Sequence, residues 1–200
     1  MHMSQFDPEA LARQLQSLDV RKQALFGWAC CCRLQPTVQR FQAEIGPNFS
    51  AAALRQGLEE VIEFVKTGAK KPAPEIQALA ATCEALASKL EDFDSLYADT
   101  TQDAMLAVCN LMNFAARQTL DSVVNAARYP TDSVDLYVQE VENMHPQDPE
   151  LERKILNHRL MQQELRRQQR DLSEIADLRL DDAPPLEAFV TRARSEDCLE

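Results

Sequence analysis

The stretch GWACCCRLQP, residues 27–36, places three consecutive cysteines between small residues and a proline. Adjacent residues on an α-helix point about 100° apart, so Cys30, Cys31 and Cys32 cannot all converge on one zinc ion. Free cysteine behaves as a small hydrophobic residue and is often buried. With the glycine and alanine before them, the three thiols make a small-residue surface that another helix can approach closely. The pattern therefore predicts packing rather than thiol or metal chemistry.

The thiols have predicted positions in this packing. Cys31 is expected to face the core, and Cys83 and Cys109 lie on apolar stripes of their own helices, so these three are predicted to be structural thiols. Cys198 is expected to be exposed. The chain is long for a disulfide-dependent fold and opens with polar residues rather than an apolar secretion segment. Reduced thiols and a cytoplasmic location are therefore expected.

Acidic residues dominate the charge of the chain. It has 200 residues with 21 Lys and Arg against 32 Asp and Glu, a net charge of −11. Affinity for nucleic acid or an anionic membrane depends on clustered positive charge, so neither partner is expected. The longest apolar run, residues 104–116, is interrupted by Asn110 and Asn113 and is too short to cross a bilayer. The charge favours solubility or a basic partner.

Helical spacing and helix-boundary residues recur along the whole chain. Asp7 before Pro8 and Asp148 before Pro149 are typical helix starts, and Asp19 and Ser50 are further candidate caps. Pro130 is expected to break or kink a helix. The predicted helices cover residues 8–18, 20–35, 37–45, 51–67, 75–90, 101–119, 120–129, 134–144 and 150–180.

These elements predict an all-α fold, a single-domain helical bundle of about seven to nine helices with a long C-terminal helix. The domain is expected over residues 7–182, with 183–200 as a C-terminal tail that is loosely helical or disordered. The helix over 101–119 is apolar around most of its circumference and is placed at the centre.

Two groups of side chains are candidate sites. Glu142 and His145 form one Glu-x-x-His pair, a di-iron ligand motif that requires a second copy, so they are weak metal candidates at a helix end. Glu59, Glu60 and Glu63 lie on or near one helical face, where carboxylates could bind a cation or a basic partner. A solvated charged face is the more common interpretation of that spacing.

No phosphate-binding, dinucleotide, nucleophile-elbow or zinc-protease motif occurs in the sequence. Catalytic residues are therefore unknown, and neither cofactor-binding residues nor a cofactor are predicted. The favoured hypothesis is a non-catalytic acidic module that binds a protein partner, with a homodimer also expected. The alternative is a metal-binding or thiol-dependent enzyme whose site would combine Cys31 with His145 or His158, or Glu60 and Glu63 with Glu142 and His145.

Three stretches of the sequence occur together in a known family. The first is LFGWACCCRLQPTVQRF, with Phe26, Cys31, Arg33, Pro36 and Phe41 at matching spacings. The second is EDFDSLYADTTQDAMLAV, which contains the pair Asp103-Ala104, and the third is QRDLSEIADLR, residues 169–179. In order and spacing over about residues 11–181, the chain resembles the YjaG-like family of bacterial proteins, the domain of unknown function 416.

The resemblance implies an all-helical, cytoplasmic bacterial protein. The family has no established activity, cofactor or catalytic residues, so none is carried over to this chain. Two departures from the family are expected: Pro130 interrupts a helix that is continuous in relatives, and the tail from residue 183 is additional. Cys31 and Arg33 are two residues apart and do not face each other on a helix, so packing is the favoured interpretation of both. The sequence does not decide whether they have a role beyond packing.

Overall fold

The computed structural model describes residues 5–46, 49–90 and 93–200, and within those ranges it has ten α-helices and no strand. The predicted all-α fold class is confirmed. The helices are α1 (Pro8–Gln16), α2 (Val20–Cys32), α3 (Gln35–Ile45), α4 (Ala52–Thr67), α5 (Ala73–Ala87), α6 (Ala98–Arg117), α7 (Leu120–Val141), α8 (Leu151–Asn157), α9 (Arg159–Asp177) and α10 (Ala183–Ser195). None of them has both the length and the apolarity that a bilayer crossing requires.

Local signals set several of the helix ends. The Asp7 carboxylate accepts a hydrogen bond from the Ala10 amide at 2.9 Å and starts α1. The Asp19 carboxylate accepts from the first amides of α2 at 2.9 and 3.1 Å. Gly68 follows α4 with φ of +71°, a left-handed conformation that glycine adopts without a Cβ penalty. These predicted boundaries are confirmed.

The second helix, α2, runs through the centre of the molecule. All nine residues over 24–32 are buried, and α2 contacts α4, α6, α7, α9 and α10. The Trp28 indole nitrogen donates to the Leu58 carbonyl of α4 at 3.0 Å. Cys31 is buried, and Cys30 and Cys32 are buried with it, because neighbouring helices enclose α2 in every direction in which the three thiols point.

The sixth helix is the second central element, as its apolar sequence predicts. It buries eleven residues and contacts α2, α3, α4, α5 and α7. Gly57 of α4 lies directly against it. A Cβ added at Gly57 would lie 2.9 Å from Val108 Cγ1 and 2.8 Å from Met112 Sδ. The missing side chain is therefore what allows the close approach of α4 to α6.

The predicted interruption at Pro130 is wrong. The seventh helix continues from Leu120 to Val141 with Pro130 buried inside it. Proline removes one amide donor, but the buried residues Val123 and Val134 hold α7 in the core on both sides of it. The Thr131 hydroxyl also donates to the Arg128 carbonyl at 2.6 Å. Tertiary packing therefore outweighs the local cost of the proline.

The long C-terminal helix predicted over 150–180 is divided in two. His158 has ψ of 142°, which ends α8, and its Nδ1 accepts from the Leu160 amide at 3.3 Å at the start of α9. The imidazole is partly buried and caps α9.

The expectation of a loose tail over 183–200 is also wrong. Residues Ala183–Ser195 form α10, which packs against α2 and buries Leu186, Phe189 and Val190. The chain then passes the end of α2, where the Cys198 amide donates to the Arg33 carbonyl at 3.1 Å. The apolar positions of α10 are too few to predict this docking, which depends on the surface that α2 and α9 present.

Substitution of Gly57 tests the close approach of α4 to α6. Alanine favours an isolated helix, but here the added methyl group would overlap Val108, whose branched side chain cannot turn away freely. We expect Gly57→Ala to lower the free energy of unfolding by about 1–3 kcal/mol. Urea denaturation measures the change. Gln56→Ala, at the exposed neighbouring position, is the control, and a Gly57→Ala variant as stable as that control would contradict the account.

Candidate functional site

A buried arginine joins the end of α2 to α9. Arg33 follows the three cysteines and is completely buried, as are Glu164 and Asp171. Its Nε lies 2.9 and 3.1 Å from the two carboxylate oxygens of Glu164, and its Nη1 lies 2.6 Å from Asp171 Oδ2. Its Nη2 donates to the Cys30 thiol at 3.3 Å. All three nitrogens of the guanidinium group therefore contact partners that are themselves buried.

Further ion pairs extend this cluster to α10. Asp171 Oδ1 accepts from Arg170 at 2.8 Å and from Arg192 at 3.0 Å. Glu196 accepts from the same two arginines at 2.7 and 3.1 Å. The Arg33 cluster is defined here as Arg33, Arg170, Arg192, Glu164, Asp171 and Glu196. Its three guanidinium groups and three carboxylates balance in charge, and the three members at its centre, Arg33, Glu164 and Asp171, are fully buried.

Burial and pairing act in opposite directions on the ionisation of the cluster. Burial raises the pKa of Glu164, although Arg33 and a hydrogen bond from Gln168 oppose that rise. Burial alone would lower the pKa of Arg33, but the carboxylates of Glu164 and Asp171 with the Cys30 thiol raise it well above its usual range. The cluster therefore connects α2, α9 and α10, and its donors and acceptors are directed at one another.

The Arg33 cluster is not among the predicted sites, although the sequence contains a signal for it. Glu164, Gln168 and Asp171 fall on the same face of α9 as the apolar residues Leu172 and Ile175. Polar residues within an apolar stripe are expected to be buried and paired. Their partner, Arg33, lies more than a hundred residues away, and only the fold identifies it.

All six thiols are buried, and the predicted exposure of Cys198 is wrong because the C-terminal segment docks beside Arg33. Burial raises the pKa of Cys31 well above its usual range, and the neighbouring Cys30 and Cys32 add to the rise. Burial likewise raises the pKa of Cys83 and of Cys109. The thiolate, which is the nucleophilic form, is therefore disfavoured at these positions.

The Glu-x-x-His pair is not assembled into a metal site in the described part of the chain. Glu142 caps the end of α7, while His145 Nδ1 accepts from the Gln147 amide at 3.1 Å. Glu142 Oε1 instead lies 3.8 Å from His158 Nε2. Among residues 5–46, 49–90 and 93–200, no three His, Cys, Asp or Glu side chains are grouped as a metal ion would require.

Two of the three predicted interaction carboxylates have basic partners within the chain. Glu59 pairs with Arg194 of α10 at 2.6 Å, and Glu60 pairs with Lys71 at 2.5 Å. Glu63 is exposed on the same helix. The structure therefore leaves less uncompensated charge on this face than the sequence spacing indicates.

A different surface combines exposed apolar side chains with uncompensated acids. Phe93, Leu96 and Leu136 are 40%, 38% and 43% exposed, and they line a groove of about 360 Å³ beside α6 and α7. Three carboxylates share this lining, and no lysine or arginine belongs to it. The Phe93 groove is defined here by its apolar residues Phe93, Leu96 and Leu136 and its carboxylates Asp94, Asp99 and Glu140.

Contacts with neighbouring elements hold the base of the Phe93 groove in place. The Phe93 ring packs edge-on against Phe41 of the core, with ring centres 5.4 Å apart. The Ser95 hydroxyl donates to a carboxylate oxygen of Glu44 at 2.6 Å, which fixes the loop before α6. Within the described chain, the carboxylates of the groove form no hydrogen bond or ion pair. They are available to an external cation.

Beside the groove, a half-buried acid bridges α6 and α7. Asp103 Oδ2 accepts from the Ser133 hydroxyl at 2.8 Å. Burial raises the pKa of Asp103 to about 7 from an ordinary value near 3.8, and the nearby Asp132 and Asp99 add to the rise against Ser133 and Arg128. One turn of α6 separates Asp103 from Asp99 of the Phe93 groove.

Arg33 is expected to be essential for stability. Arg33→Met would keep much of the side-chain volume but leave Glu164 without its cation in a buried position. We expect the free energy of unfolding to fall by about 3–5 kcal/mol. Chemical denaturation measures the loss, and the double variant Arg33→Met, Glu164→Gln should recover part of it. Arg13→Met, which removes an exposed pair with Glu9, is the control and should change stability little.

The Asp103 pKa predicts a pH dependence of stability. Between pH 4 and 7 the folded chain holds more protons at this carboxyl than the unfolded chain, so the free energy of unfolding falls as pH rises. The slope from one group is at most about 1.4 kcal/mol per pH unit. Asp103→Asn should remove this contribution, so the wild type should lose stability relative to the variant from pH 4 to 7. Urea denaturation across this range measures the difference. A constant difference would contradict the prediction, and the exposed substitution Glu187→Gln should show no such trend.

A family model and a solved structure are similar to this chain. The family model described as a protein of unknown function, DUF416, matches residues 10–198, so the predicted extra tail from residue 183 is wrong. The crystal structure of a DUF416 family protein from Shewanella baltica OS155 is similar, with a TM-score of 0.79 and 20% identity over 94% of this chain and 96% of that one. No curated protein matches the sequence. The chain belongs to the DUF416 family.

Proposed function

We propose that this chain is a non-catalytic protein-interaction module that binds a basic partner through the Phe93 groove. The observation that carries the proposal is a coincidence of two features. Three of the four large apolar side chains that are exposed in the described chain line one groove, and no ion pair among residues 5–46, 49–90 and 93–200 compensates its carboxylates. Exposed apolar patches with a polar rim are typical of protein interaction sites.

Electrostatics would select the partner. The net charge of −11 attracts a basic protein at long range, and the groove carboxylates supply short-range contacts where it docks. At 0.15 M salt, charges are screened beyond about 8 Å, so the association should weaken as salt is added. The apolar residues Phe93, Leu96 and Leu136 would supply the part of the affinity that is insensitive to salt.

The buried thiols favour this proposal over a thiol-dependent enzyme, because Cys31 is enclosed and its pKa is raised. Glu142 and His158 are close enough to share a cation but would provide only two ligands. A homodimer and a cytoplasmic location stay predictions, since neither is part of the argument for the groove.

Charge reversal in the groove tests the proposal. Asp99→Lys with Glu140→Lys should abolish salt-sensitive capture of a protein partner from a bacterial lysate, because the same basic surface would then be repelled. Affinity capture at about 50 and 500 mM salt, followed by protein identification, measures the effect.

The matched control is Glu63→Lys with Glu187→Lys, which changes the net charge equally at exposed positions outside the groove. Capture should survive in this variant. A partner retained equally by both variants, or the absence of any salt-sensitive partner of the wild type, would contradict the proposal.

A further inference from the structure

A second cleft lies along the same helix as the Phe93 groove. It has a volume of about 390 Å³ and is formed by the segment before α1 together with α7, α8 and α9. Phe6, Ile155, Leu156 and Met161 supply its apolar surface. The Phe6 cleft is defined here by those four residues and by the charged residues Arg128, Asp132, Asp135, Glu152 and Arg153. It is large enough to take apolar side chains of a ligand.

The charges of the Phe6 cleft leave an acidic surplus. Arg128 pairs with Asp132 at 3.0 Å, and Arg153 pairs with Glu150, which is outside the lining. Both guanidinium groups are therefore already compensated. Asp135 accepts only from the neutral amide of Gln139 at 2.6 Å, and Glu152 has no ion pair in the described chain. An occupant with positive charge complements these two carboxylates.

The exposed face of α7 connects the two depressions. Asp132 lines the Phe6 cleft, whereas Leu136 and Glu140 line the Phe93 groove. The three residues are spaced four apart, so they form one stripe along the helix. The distance from Asp132 to Glu140 along the axis is about 12 Å at 1.5 Å per residue. A single segment of modest length can therefore reach both sites.

We propose that the partner presents a basic amphipathic helix that crosses α7, with apolar side chains in both the Phe93 groove and the Phe6 cleft and cations beside both sets of carboxylates. This inference rests on the proposed function and adds to it the second subsite and the form of the partner segment. No sheet edge exists within the described ranges for a partner strand to extend, so side-chain docking of a helix is the matching mode of recognition.

Synthetic peptides provide the test. The full probe is a 20-residue helix-forming peptide with leucines at helical spacing and lysines in both halves. Two further probes have glutamine in place of the lysines of one half or of the other. Fluorescence anisotropy at low salt measures binding to the wild type, to a groove pair (Asp99→Asn, Glu140→Gln), to a cleft pair (Asp135→Asn, Glu152→Gln) and to a control pair (Glu63→Gln, Glu187→Gln).

We expect the groove pair and the cleft pair each to weaken the full probe by about threefold or more, and the control pair to leave its affinity unchanged. The affinity of one glutamine probe should no longer depend on the cleft pair, and the affinity of the other should no longer depend on the groove pair. This result is expected when the two halves of one helix contact different subsites. A scrambled peptide of the same composition should bind more weakly than the full probe.

Different results would contradict the helix that crosses α7 and the proposed function itself. If the groove pair weakens the full probe but the cleft pair does not, the helix does not cross α7, and the proposed function stands without this extension. If the affinity of one glutamine probe became insensitive to both the groove pair and the cleft pair, the same half of the peptide would contact both subsites. That result would also exclude a helix that crosses α7. If neither pair differs from the control pair, or if the scrambled peptide binds equally well, the proposed function fails with it.

Discussion

The ion pairs of Arg33 hold the end of α2, α9 and α10 together. Burying a guanidinium group without partners would strongly destabilise the folded state. The end of α2 is therefore stable only because α9 places Glu164 and Asp171 beside Arg33. Asp171 in turn requires Arg170 and Arg192, which brings in α10. One internal cation therefore fixes the mutual positions of three helices and of the C-terminal segment that passes over Arg33.

The three consecutive cysteines have their place in this arrangement. A helix enclosed by five others must present small or apolar side chains in every direction, and the stretch 24–32 does so without a single charge. The thiol of Cys30 also accepts from Arg33, so one cysteine belongs both to the apolar core and to the Arg33 cluster. Packing accounts for the cysteine run, and enclosure keeps its thiols protonated.

Charges inside and outside the molecule are arranged differently. The Arg33 cluster pairs each buried charge with its opposite, whereas on the surface along α7 no ion pair among the described residues involves the carboxylates of Asp99, Asp135 and Glu140. Compensation is obligatory where water is excluded and optional where water solvates the charge. The uncompensated acids beside Phe93 and Leu136 are thus free to serve recognition, which the internal ion pairs are not.

Local signals in the sequence were enough to predict the all-α class, the starts of α1 and α2 and the central position of α6, because capping residues and apolar periodicity act over a few residues. Long-range packing was needed for α7 to continue through Pro130, for the helix after residue 150 to divide at His158 and for α10 to pack against α2. It also brought Arg33 to Glu164, and Phe93 to Leu136. Those outcomes depend on contacts between residues far apart in the chain, and local propensity carries no information about which distant surface offsets a local cost.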